Sequence, residues 1–169
     1  SAHPDIAVPV ECSSTINSVQ TGGYTVFSGG ITGTTPENHT VYYGNYTLTD
    51  AEWTPAASSQ IPNGSTVNAK TVVNPNTLTV AAGGKLSALA ISSANSRAFA
   101  ANNGEIEVSG IIELLHNDSY FYNSNCSGLI RAGGFKINNS TAVNGYTRMH
   151  AAPDATGTMN IEITGSNGF

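Results

Sequence analysis

Glu105 and Glu107 stand two residues apart in a segment that alternates like a strand, so their carboxylates share a face. Paired carboxylates are the working parts of glycoside hydrolysis. The same spacing suits a solvated strand face, and we read both as surface. The four histidines, His3, His39, His116 and His150, stand in separate neighbourhoods with no H-E-x-x-H or H-x-H pair. His116-Asn117-Asp118 reads as a polar turn with Asx chemistry. No G-x-S-x-G elbow occurs among the many serines. Asp50, Glu52 and Asp118 are loop acids without the spacing of a calcium loop. These patterns lead us to expect no enzyme, no metal site and no cofactor.

Aromatic residues offer a different chemistry. Tyr42, Tyr43, Tyr46 and Trp53 cluster in one stretch, and Tyr120, Phe121 and Tyr122 in another. Rings beside Asn and Asp suit a sugar, because the ring stacks on C–H faces while amides bond hydroxyls. Tyr42, Tyr43, Tyr46 and Trp53 are therefore candidate glycan contacts. At strand spacing about half of them face a core, and Trp53 is left open between the two roles.

Cys12 and Cys126 lack metal-ligand spacing. We favour one disulfide between them, made in an oxidising compartment, over two separate buried thiols. Closing so long a loop is worth about 4–5 kcal/mol in the chain-entropy account. Acceptor motifs for N-linked glycans begin at Asn38, Asn45, Asn63, Asn117, Asn125, Asn138 and Asn139. In a chain this rich in Asn, Ser and Thr, many are expected by chance.

The elements that position these residues are strands. Gly22-Gly23, Gly29-Gly30, Pro62-Asn63-Gly64, Gly83-Gly84, Asn102-Asn103-Gly104, Gly133-Gly134 and Asn144-Gly145 punctuate the chain. Between the turns lie short β-rich segments at 24–27, 40–48, 65–73, 77–81, 85–91, 105–115, 129–137, 146–150 and 158–164. In 105–115, Ile106, Val108, Ile112 and Leu114 face one way. Glu105, Glu107, Ser109 and Glu113 face the other, joined by Ile111 and Leu115, with a bulge expected at Gly110. After 85–91 the spacing of Ala94, Arg97 and Ala98 predicts a loop or one or two helical turns. At the chain ends, Asp5-Ile6-Ala7-Val8-Pro9-Val10 and Thr158-Met159-Asn160-Ile161-Glu162-Ile163-Thr164 both alternate. Pro9 cannot donate to a ladder and marks an edge strand.

The 169 residues fit a single β-domain over 1–169, with 1–11 as an N-terminal donor strand. Only 10% of residues are charged, so surface polarity must come from Ser, Thr, Asn and Gly. A net charge of −5 with six scattered Lys and Arg argues against a nucleic-acid partner. No apolar run is long enough for a membrane-spanning helix, so no membrane insertion is expected. Ser1-Ala2-His3-Pro4 reads as a start left by signal cleavage or by cloning. The expected location is secreted, on an extracellular surface.

The two alternating ends resemble those of a bacterial surface-pilus (fimbrial) subunit, on residues 5–10 and on Ala155 to Ile163. That resemblance implies an immunoglobulin-like antiparallel β-sandwich completed by a neighbour's extension. Ile6, Val8 and Val10 would fill the neighbour's groove, giving a homopolymeric filament with adhesion to a host or surface glycan as a further role. Two features depart from that family: the wide Cys12–Cys126 spacing, and Phe169 standing last rather than next to last. A second resemblance competes. Asn76 to Leu86 and Asn103 to Gly110 look like rungs of a parallel β-solenoid, as in autotransporter passengers and phage tail proteins. As a function the sandwich filament ranks first, a monomeric carbohydrate-binding adhesin module second and the solenoid piece third.

Overall fold

The chain folds as a parallel β-solenoid of about four turns, not as an antiparallel sandwich. The computed structural model describes residues 18–21, 24–27, 30–35, 38–116, 118–120, 127–137, 148–150 and 160–166. A short antiparallel hairpin comes first, β1 (Ser18–Thr21) with β2 (Tyr24–Phe27). The main sheet then runs through β3 (Ile31–Gly33), β4 (Asn45–Leu48), β7 (Thr66–Val73), β9 (Lys85–Ser93), β11 (Glu105–Leu114), β13 (Leu129–Ile137) and β15 (Asn160–Ile163), all parallel. β5 (Glu52–Trp53) also joins β7. A second parallel sheet stacks β6 (Gln60–Ile61), β8 (Thr79–Val80) and β10 (Ala101–Asn102). β12 (Asp118–Tyr120) and β14 (Arg148–His150) pair in a small parallel sheet of their own, formed from the longer connections after β11 and β13.

The parallel coil, in place of the expected sandwich, has a local physical cause. Gly83-Gly84 has the composition of a two-residue hairpin turn, which would fold Lys85 back against Ala82 and Ser87 against Val80. Instead Val80 pairs with Ile61 and Asn102, while Leu86 pairs with Val67 and Ile106. The turn carries the chain round a corner onto another sheet, and each strand meets its partner one circuit later. Along one column, Tyr46, Val67, Leu86, Ile106, Ile130 and Ile161 are successive neighbours, separated by 21, 19, 20, 24 and 31 residues. Alternation of side chains is the same in parallel and antiparallel strands, so the residue pattern alone does not separate them.

Apolar columns fill the coil. Beside the Tyr46–Ile161 column runs Ala69, Ala88, Val108, Ala132 and Ile163. A third column holds Trp53, Val72, Ile91, Ile112 and Phe135. All are buried except Ile161 and Ile163, which pack half-buried against the core from the last strand. Each fully buried aliphatic side chain contributes about 1.5–3 kcal/mol.

The long strands bend where alternation breaks. Two outward positions fall together at Lys70-Thr71 in β7 and Leu89-Ala90 in β9, and three at Ser109-Gly110-Ile111 in β11. The register of β11 shifts against both neighbours there, so the bulge expected at Gly110 is present. Ile106, Val108, Ile112 and Leu114 point inward as the pattern predicts, and Ile111 is exposed. No helical turn follows β9. The strand runs on to Ser93 and a bent loop leads to the buried Ala98 and Phe99. Four serines between 87 and 96 oppose a helix, and the sheet supplies partners for the backbone instead.

Candidate functional site

The main sheet carries a chain of opposite charges on its outer face. The register sets Lys85 beside Glu105 and Glu105 beside Leu129, with Glu107 beside Arg131 and Arg131 beside Glu162. Lys85 Nζ lies 2.5 Å from Glu107 Oε2 and 3.6 Å from Glu105 Oε1. Arg131 reaches Glu105 at 3.0 Å and Glu162 at 2.6 Å. The order Glu107–Lys85–Glu105–Arg131–Glu162 alternates in sign through four strands. Lys136 and Glu113 add a pair at 3.1 Å beyond the bend. The expected surface role of Glu105 and Glu107 corresponds to this placement. Their sharing of a face follows from the period of two, but their cationic partners come from other rungs.

Three groups of this ladder, Lys85, Glu107 and Arg131, are shifted toward their ionised forms. The hydrogen bond from Lys85 holds the Glu107 carboxyl below its ordinary range, and the lysine's charge adds to it. The same bond raises Lys85. Arg131 is raised by its bond to Glu162. A general acid in glycoside chemistry needs the opposite shift, a carboxyl held protonated near neutral pH.

Beside the ladder runs a shallow groove of about 530 Å³, bordered by Thr66, Lys85, Asn103 and Glu105. Gly64, Gly83, Gly84 and Gly104 line it as well. Gly44, Ser65, Gly84, Gly104 and Gly128 stack at one corner, each carbonyl accepting the amide that opens the next strand: Thr66, Lys85, Glu105, Leu129 and Asn160. A side chain at Gly104 would run into the carbonyls of Ala81 and Gly84. Asparagines bind adjacent turns at this corner and elsewhere. Asn74 Oδ1 accepts from the Ala94 amide at 2.8 Å, Asn103 Oδ1 from the Ser127 amide at 3.1 Å, and Asn76 Oδ1 from Asn95 Nδ2 at 3.2 Å. Such side-chain bonds to the next turn are what a run of Asn residues at corners could have suggested, had the circuit length been visible.

The aromatic candidates divide. Tyr42, Tyr46 and Trp53 lie in the interior of the first full turn, at 0%, 5% and 2% exposure, so their ring faces are not available to a sugar. Tyr42 meets His39, Tyr46 and Trp53 edge-on, with centroids 4.7, 5.0 and 5.3 Å apart. The Tyr46 hydroxyl and His39 Nε2 are 3.2 Å apart. Burial pushes the Tyr46 phenol up to about 12 and also raises Tyr42, which the nearby Trp53 indole partly opposes. Burial lowers His39. Tyr43, the next residue along, faces out and is half exposed.

Ile6, Val8, Val10, Cys12 and Cys126 lie outside the described residues, as do Phe121 and Tyr122. Among the described residues no three of His, Cys, Asp and Glu gather as a metal ion would require. Among the described residues no helix is long and apolar enough to cross a membrane. Comparison with protein-family models, with curated proteins and with solved structures finds no match to this chain.

Proposed function

We propose that this chain is a structural solenoid piece of an extended extracellular or fibre protein, as its likeness to autotransporter and phage-tail rungs suggests. The observation that carries this reading is the repetition itself. Like stacks on like through five parallel partners, with glycine at the tight corner and paired charge outside. Such a stack is quasi-one-dimensional, so its length is set by the number of turns and its stability by neighbour contacts. A spacer needs those properties and no reactive centre. The charge ladder supports the same role, because a slip of one turn would place like charges together.

The test is to change the number of turns. Duplicating residues 85–104 in tandem should yield a folded protein about 4.8 Å longer along the stack, resolved by electron microscopy or crystallography. A second reading rests on Tyr43 and the polar groove, as a carbohydrate-binding surface. A glycan array decides between them. Saturable sugar binding that Tyr43→Ala or Lys85→Ala abolishes would replace the spacer with a binding module.

A further inference from the structure

Three acceptor motifs for N-linked glycans fall on described residues: Asn38-His39-Thr40, Asn45-Tyr46-Thr47 and Asn63-Gly64-Ser65. All three asparagines are exposed. Asparagines outside such motifs behave differently. Asn68, Asn74, Asn76, Asn95 and Asn103 are half-buried and Asn102 is fully buried. Their amides are engaged in holding turns together: Asn68 Nδ2 donates to the Tyr46 carbonyl, Asn95 to Asn76, and Asn102 to the Leu129 carbonyl, while Asn74 and Asn103 accept from backbone amides. The side-chain amides of Asn38, Asn45 and Asn63 make no hydrogen bond among the described residues. Asn160 is the one exposed described asparagine without the motif, being followed by Ile161 and Glu162. Chance scattering of motifs in an Asn-rich chain would not sort them by exposure in this way.

The three also share a region. Asn38 lies between β3 and β4 in a left-handed conformation (φ 58°). Asn45 opens β4 and faces out. Asn63 sits in the tight turn after β6, closed by the Ser65 amide on the Pro62 carbonyl at 3.1 Å. All three lie between β3 and β7 in the chain. Asn45 opens β4, which pairs with β3 at the end of the main sheet, where a bulky hydrated group would hinder strand addition by another chain. Asn63 lies instead against Gly83 of the following turn.

We propose that Asn38, Asn45 and Asn63 are N-glycan attachment sites. The co-reactant is an oligosaccharide carried on a lipid diphosphate. The Asn Nδ2 forms a bond to the anomeric carbon, the bond from that carbon to the phosphate oxygen breaks, the lipid diphosphate leaves with the electron pair, and one amide proton passes to the transferase base. The inference rests on accessibility and sequence motif, so it stands or falls separately from the spacer reading.

Peptide mapping of the chain purified from its natural source tests it, with enzymatic glycan release in heavy-oxygen water to label each formerly occupied Asn as Asp. Label is expected at 38, 45 and 63 and not at Asn160. Thr40→Ala and Thr47→Ala, expressed in the same source, should each lose label at their own site and keep it at the other two. Mapping reads covalent mass, so the result does not depend on how well a variant folds. Unmodified asparagine at one position removes that site, and at all three overturns the proposal.

Discussion

At the scale of single residues, close backbone approach decides what the stack tolerates. Gly110 sits against the Leu89 carbonyl, where a Cβ would come to 2.5 Å, and Gly133 against the carbonyls of Ser109 and Gly110, at 2.7 Å each. Neither contact can be relieved by rotating a side chain, because the obstacle is backbone. Gly133→Ala should destabilise the fold by about 1–3 kcal/mol in urea or guanidinium melts, and an unchanged midpoint would show that the bend opens freely. The aromatic group gives a pH signature with two limits. Tyr46 is raised in the folded state, so its contribution is intact below the unfolded value of 10 and is lost as pH climbs toward about 12. His39 is lowered, so its contribution is intact above 6.5 and falls away as the pH drops below that. Thermal melts across pH should therefore show a plateau between those limits, and Tyr46→Phe should flatten the alkaline decline. An alkaline decline of the same size in Tyr46→Phe would place its origin elsewhere.

At the scale of elements, the charge ladder and the columns do different work. Lys85 and Glu107 remain roughly a third to two-fifths exposed, so solvent screens the pair and Glu107→Gln should cost no more than about 1 kcal/mol. Its effect should shrink in high salt. Because Glu107 is held low, the pair's contribution is present above the ordinary carboxylate range and is lost as pH falls through the lowered value. Ile106, by contrast, lies fully buried between Leu86 and Ile130. Ile106→Ala should cost about 2–5 kcal/mol, measurable in the same melts. The reverse order, ladder above column, would mean that the ionic face and not the interior holds the turns together.

At the scale of the whole molecule, the turns should be exchangeable units. Joining Gly84 directly to Glu105 removes one circuit, and Ile106, Val108 and Ile112 then meet Val67, Ala69 and Val72 in the places left by Leu86, Ala88 and Ile91. The shortened chain should keep its β-sheet circular dichroism and unfold cooperatively at lower denaturant, as expected when one neighbour interface is lost. Complete loss of structure would indicate that the coil does not repeat energetically, whatever its geometry.

Strand positions and inward faces were legible from the residues. Segments 65–73, 105–115 and 129–137 each hold a strand within a residue or so of the expected bounds, and the inward set in β11 matches its alternation, because burial on one face of a strand writes a period of two into the chain. The surface role of Glu105 and Glu107 was legible for the same reason. Which strands pair, and in which direction, was not. Residues beside a turn such as Gly83-Gly84 are compatible with a hairpin or a corner, and the choice is made by atoms about twenty residues away. Which of Tyr42, Tyr43, Tyr46 and Trp53 turn inward was hidden likewise, since only closure of the first turn removes three of the four rings from water. Local side-chain chemistry thus determined the strands and their faces. The parallel coil, the ionic ladder and the stacked glycine corner exist only once successive circuits lie on one another, because each depends on contacts between residues a full turn apart.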